Sequence, residues 1–169
     1  MPFTPFHFGP GAAVKAVIPH HFSFTVFCFS QVATDCETAY YMIQAELPFH
    51  RFCHTYIGAT LVGLASVLIG RPLCQLALRI WSGWPNAPFK RDFSSSTVIP
   101  MGSAISGAFI GTYSHIVLDS IMHSDITPMM PFDSGNSLHG IVSPNTLHIA
   151  CAALGVLGAI YIVLKNRNS

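Results

Sequence analysis

Hydrophobic positions in this chain come in long runs parted by polar stretches, not in the two-residue alternation of half-buried strands. The clearest run covers 52–70 and contains no acid, lysine or arginine. Two more, about 98–122 and 146–164, are also long enough to cross a hydrocarbon core. The segment 71–84 differs in kind. Arg71, Gln75 and Arg79 recur every four residues, opposed by Leu73, Leu76, Ile80 and Trp81. That pattern predicts an amphipathic helix lying on a membrane surface, with Trp81 and Trp84 at headgroup level.

Residues 8–34 are apolar but interrupted by Pro19-His20-His21. Two threadings fit: one kinked span, or two short helices near 10–18 and 22–34 forming a re-entrant hairpin. Proline and paired histidines suit a turn better than mid-membrane helix, which favours the hairpin. Polar loops are expected at 35–50, 85–96 and the twenty or so residues after Met122. The predicted fold is an all-α, small polytopic membrane bundle in a single domain. It has about three full spans, an N-terminal kinked span or re-entrant hairpin, and a surface amphipathic helix.

Composition agrees. Of 169 residues, 51% are hydrophobic and 9% charged, against about 25% charged in typical soluble domains. The net charge of +1 comes with no basic arm or patch, so a nucleic-acid partner is not expected; the lipid bilayer is. The five cysteines are odd in number and form no CxxC pair, which predicts free thiols over a disulfide framework. Cys53-His54 lacks the cysteine three residues earlier that haem attachment needs; His50 stands there. The first residues carry no basic segment, and no cleaved signal peptide is expected.

If 52–70, 98–122 and 146–164 all cross, Arg71, Arg79, Lys90, Arg91, Lys165 and Arg167 share one side, which the positive-inside rule makes cytoplasmic. The opposite side collects six of the seven acids, with His50, His54, His115, His123, His139 and His148. There the sequence His115-Ile-Val-Leu-Asp119-Ser-Ile-Met-His123 sets three potential ligands at successive i,i+4 positions on one helix face. Ser103, Gly107 and Gly111 continue the same line backwards, small residues that allow a second helix close approach. Imidazole and carboxylate suit zinc, manganese or iron. HExxH is absent, so a thermolysin-type protease is not supported.

At Met1-Pro-Phe-Thr-Pro-Phe-His7, Asp35-Cys-Glu37, His54-Thr-Tyr-Ile-Gly58, Ser114 to His123 and Leu147-His148, the chain resembles a bacterial inner-membrane family. That family is related to the YdjM-like membrane-bound metal-dependent hydrolases and, more remotely, is similar to the zinc-dependent phospholipase C fold. The chain departs from the family's pattern at Thr34 and Met122. The resemblance implies one or more divalent transition-metal ions, zinc foremost, on His7, Asp35, His54, His115, Asp119 and His123. It implies Glu37 as a further ligand or general base, with Asp125 orienting a ligand histidine. The activity implied is hydrolysis of a phosphoester or acyl bond, and a site at the outer membrane–water interface suits a lipid-like substrate. A non-catalytic metal-binding or transport protein, or a structural one whose polar cluster locks helices, is the alternative.

Overall fold

The computed structural model describes residues 5–84 and 97–167, the side chain of Asn166 excepted, and their regular structure is helical throughout. Five helices follow in order: α1 (Phe8–Val17), α2 (Phe24–Gln44), α3 (Tyr56–Ser82), α4 (Met101–Met122) and α5 (Pro144–Arg167). Single 3-10 turns, Pro5–His7 and Phe52–His54, precede α1 and α3. The loop expected at 85–96, with Lys90 and Arg91, and the motif residues 1–4 lie outside the described residues.

The stretch 8–34 is broken into two helices, with no continuous helix across Pro19-His20-His21. α1 stops at Val17, and Lys15 Nζ donates to the carbonyls of Pro19 (2.6 Å) and Phe22 (3.2 Å). Ser23 then caps α2 by accepting from the Val26 N–H at 3.3 Å. The two helices are unequal, because α2 continues through Asp35 and Glu37 to Gln44, across most of the stretch expected to be loop. Its 21 residues reach about 31 Å. The reason lies on one face, where Ser30, Gln31, Thr34, Asp35 and Thr38 are all buried. Polar residues that look like loop in sequence form a buried stripe here.

α3 also corrects an expectation. The predicted surface helix at 71–84 is no separate element; it continues the span that begins at Tyr56, through a π-helical stretch at Ser66–Gly70. Arg71 Nε donates to the Ile99 carbonyl at 2.8 Å, and Gln75 Oε1 accepts from the Ile99 N–H at 2.9 Å. Two members of the expected water-facing stripe therefore fasten the approach to α4.

α4 is the axis of the bundle, flanked by α2 and α3, while α1 packs on α5. Close approach to α2 is set by the small residues of α4. A Cβ on Gly107 would stand 2.4 Å from the Ser23 carbonyl oxygen, and one on Gly111 2.0 Å from Ser30 Oγ. The α1–α5 contact uses the same device, with Gly9 against the Cys151 carbonyl and Gly158 against the backbone of Ala12.

Two helices, α3 and α5, are long and apolar enough to cross a membrane. Leu61, Leu64, Leu68 and Ile69 on α3, with Ile149, Val156, Leu157 and Ile160 on α5, point outward. They coincide with two of the three predicted spans. α4 matches the third in extent but falls short in apolarity, since Ser103, Thr112, His115, Asp119 and Ser120 are spent on its neighbours and are all buried.

Candidate metal centre

The four-residue line on α4 ends at His115 and Asp119, and the glycines above it bring α2 close enough to supply Asp35. The fourth group comes from the turn before α3. Thr55 caps α3 by accepting from the Gly58 N–H at 3.0 Å. Gly58 has no side chain to obstruct the returning chain: a Cβ there would lie 1.9 Å from the Phe52 carbonyl oxygen. Glu37 Oε2 accepts from the Cys53 N–H at 2.7 Å and tethers the same turn to α2. His54 is thereby driven inward and is fully buried.

Asp35, His54, His115 and Asp119 converge there, one potential ligand atom from each lying within 4.8 Å of all the others. His115 Nε2 is 3.2 Å from Asp35 Oδ1 and 3.1 Å from Asp119 Oδ2. His54 Nε2 is 3.7 Å and 3.5 Å from the same two atoms. The far sides of the rings are partnered as well. His115 Nδ1 meets Gln31 Oε1 at 2.5 Å, and His54 Nδ1 faces Thr38 Oγ1 at 3.5 Å. A carbonyl oxygen accepts only, so Nδ1 of His115 carries the proton and Nε2 is the nitrogen turned to the carboxylates.

Two charge states satisfy this cluster. Both histidines can be protonated, making two buried ion pairs, or a divalent cation can replace the two protons among neutral rings. Two carboxylates balance either one. The residues fit a metal on three counts. The donor set is mixed imidazole and carboxylate. Gln31 fixes the orientation of a ring from behind, as partners of metal-bound histidines commonly do. And His54 Nε2 is buried without a hydrogen-bond partner among the described residues.

The other expected ligands stand around this core. His7 is 3% exposed; its Nε2 is 3.3 Å from Asp119 Oδ1, and neither ring nitrogen has a hydrogen-bond partner among the described residues. Burial lowers its pKa to about 4 against the opposing pull of Asp119, so the ring is neutral at neutral pH. His123, in extended backbone just past α4, has its Nε2 4.0 Å from Asp119 Oδ1 and belongs to a second group with His50 and Asp125. His50 Nδ1 sits 2.9 Å and 3.0 Å from the two Asp125 oxygens. Burial lowers the pKa of both His50 and His123. Asp125 is held below the usual carboxylate range by His50, although burial alone would raise it.

Six expected ligands are thus brought together, four in one buried group and two beside it. Asp125 contacts His50, which is not among the six ligands the resemblance implies. Glu37 lies outside the four-residue group and serves the turn that carries His54. Gln31 was missed. Its signal was its place four residues before Asp35, on the same face of α2. His139 and His148 stay apart, with His148 stacked on Phe6 at 4.7 Å. Comparisons with protein-family models, curated proteins and solved structures find no match for this chain.

Proposed function

We propose that this protein is a membrane-bound, metal-dependent hydrolase with its centre at a membrane–water boundary, acting on a phosphoester or acyl bond of a lipid-like substrate. The observation that supports it most is the convergence of Asp35, His54, His115 and Asp119, with His115 oriented by Gln31. A divalent cation on these residues, zinc by preference, supplies Lewis acidity, polarising a phosphoryl or carbonyl oxygen and making water a competent nucleophile near neutral pH. The chain's own residues do the rest. Gln31 and Thr38 hold the two imidazoles, Glu37 fixes the turn bearing His54, and α2, α3 and α4 exclude bulk water from the inner four groups.

A lipid-like substrate is supported by an apolar groove of about 390 Å³ lined by Phe6, Phe8, Ala12, Phe24, Ala152 and Val156. Phe6 in its lining directly precedes His7, whose Nε2 is 3.3 Å from Asp119 Oδ1. In this reading α4 crosses the bilayer with α3 and α5, shielded by α2 and α3. The basic ends of α3 and α5 lie in the cytoplasm, and the centre faces outward across a bacterial inner membrane.

The second reading is structural, and the ion-pair distances within the cluster favour it: the same four side chains lock α2, α3 and α4 with no cation. Elemental analysis of detergent-purified protein separates the two. The hydrolase reading expects at least one zinc, manganese or iron per chain, lost in an Asp119→Ala variant whose helical circular dichroism is unchanged. It also expects metal-loaded protein to cleave a member of a phosphoester and lipid-ester panel. Metal-free protein after attempted reloading leaves the structural reading standing. Loaded protein that cleaves nothing in the panel counts against catalysis while keeping the metal.

A further inference from the structure

We infer that His50, His123 and Asp125 form a second cation site beside the buried one, so that the chain holds two divalent ions. The inference rests on the metal reading of the inner cluster and extends it to residues outside that cluster.

Three segments distant in sequence meet at this point. His50 comes from the strand of chain after α2, His123 from the residue that ends α4, and Asp125 from the loop that follows. One potential ligand atom from each lies within 4.8 Å of the other two. Two imidazoles and a carboxylate suit a borderline divalent cation, with remaining positions left to water or substrate. The arrangement is held by the backbone. Asp125 Oδ2 accepts from the Phe49 and His50 N–H groups at 3.2 and 3.3 Å, which fixes the carboxylate and leaves Oδ1 2.9 Å from His50 Nδ1. The His50 and His123 rings lie nearly face to face, with centroids 4.5 Å apart.

The group is also joined to the inner cluster. The His50 ring packs edge-on against His54, centroids 4.7 Å apart. Asp119 divides its oxygens: Oδ2 faces His54 and His115, while Oδ1 faces His7 at 3.3 Å and His123 at 4.0 Å. Asp119 would thus offer one oxygen to each of two neighbouring cations, an arrangement that suits two-metal chemistry. Exposure divides the labour. The side chains of Asp125 and His123 are 30% and 25% exposed, against 4% for Asp119. The outer position is therefore the one a substrate oxygen reaches from water. A plain His50–Asp125 ion pair would show the same short contacts, but it would take no part in metal content.

The count of ions tests this. Detergent-purified protein is saturated with Zn²⁺, desalted and analysed for zinc per chain, beside a His50→Ala/Asp125→Ala variant and an Asp35→Ala variant. Two ions in the wild type, falling to one in the double variant, is the expected result. If the double variant does not fold, Asp125→Asn replaces it. Its amide oxygen still accepts from the Phe49 and His50 N–H groups, and the same fall to one ion is expected. Two ions retained in the variant overturn the inference, as does a single ion in the wild type that the outer substitutions leave in place. A wild type with no zinc overturns the metal reading of the inner cluster too, and Asp35→Ala then changes nothing. Loss in Asp35→Ala with retention in the double variant keeps the inner site and rejects the outer one.

Discussion

Burial favours the neutral form of His7 in the folded protein, and that has a measurable consequence. Its ring is enclosed between Asp119 and His115, centroid to centroid 4.8 Å from the latter, and burial lowers its pKa to about 4. In the unfolded chain a histidine titrates near 6.5. Between those values the unfolded state binds the proton and the folded state does not, so stability falls as pH drops from about 6.5 toward 4. The size is at most about 3 kcal/mol for a shift of this extent. We expect chelator-treated wild-type protein to lose that stability over this window, read as a falling midpoint of thermal unfolding in detergent. A His7→Asn variant should show a shallower slope over the same range. Parallel slopes would mean that His7 is protonated, or open to water, in the fold. Asp119 is the nearest group that would reward protonation, so the experiment also reports whether that carboxylate is already engaged elsewhere.

At the scale of helices, the centre depends on how closely α4 approaches α2. Ser103, Gly107, Gly111, His115 and Asp119 share one face at four-residue spacing. The first three set the distance at which the last two meet Asp35. A Cβ on Gly111 already overlaps Ser30 Oγ at 2.0 Å and crowds the Phe27 carbonyl oxygen at 3.1 Å, so Gly111→Leu must part the helices. We expect a loss of roughly 1–3 kcal/mol from overpacking and, more tellingly, a metal content that falls with no ligand changed. Unaltered metal binding in Gly111→Leu would show that helix separation does not position Asp35. This device was legible in the sequence, because both the small residues and the ligands repeat with the helical period. So was the break between α1 and α2, marked by Pro19 and two histidines. The extension of α2 was not: Asp35 and Glu37 fall where a polar loop is expected, and their partners, His115 and the Cys53 N–H, lie far off in sequence or in the next turn. The pairing of α1 with α5 left no local trace either. Gly9 meets Cys151 and Gly155, and Gly158 meets Ala12, across almost the whole chain.

Over the whole molecule, polar chemistry and basic charge occupy opposite ends. The His/Asp cluster shares its end with the start of α3 and the loop after α4, tied by the Tyr56 N–H to the Pro128 carbonyl at 2.9 Å and the Gly140 N–H to the Ile121 carbonyl at 3.0 Å. At the other end Arg71 and Gln75 hold Ile99, and Arg79 lies a further turn or two along α3. α5 ends there too in the proposed topology, with Lys165 and Arg167 in its last turn. In the proposed topology a bilayer around α3 and α5 would have a basic rim and an acidic, histidine-rich rim, and the positive-inside rule would orient the basic one to the cytoplasm. The chain supplies its own reporter, since Cys36 is exposed one residue past Asp35, at the metal end of α2. We expect a membrane-impermeant maleimide to label Cys36 in intact cells, in a background where the other four cysteines are serine. A Gly83→Cys substitution in a cysteine-free chain places a thiol just past α3 at the basic end, and it should label only after the membrane is permeabilised. Reversed labelling would put the metal end in the cytoplasm and remove an extracytoplasmic lipid as substrate, while leaving the centre's chemistry intact. Equal labelling of both positions in intact cells would mean that α3 does not cross, and the apolar faces of α3 and α5 would then have to be covered by protein.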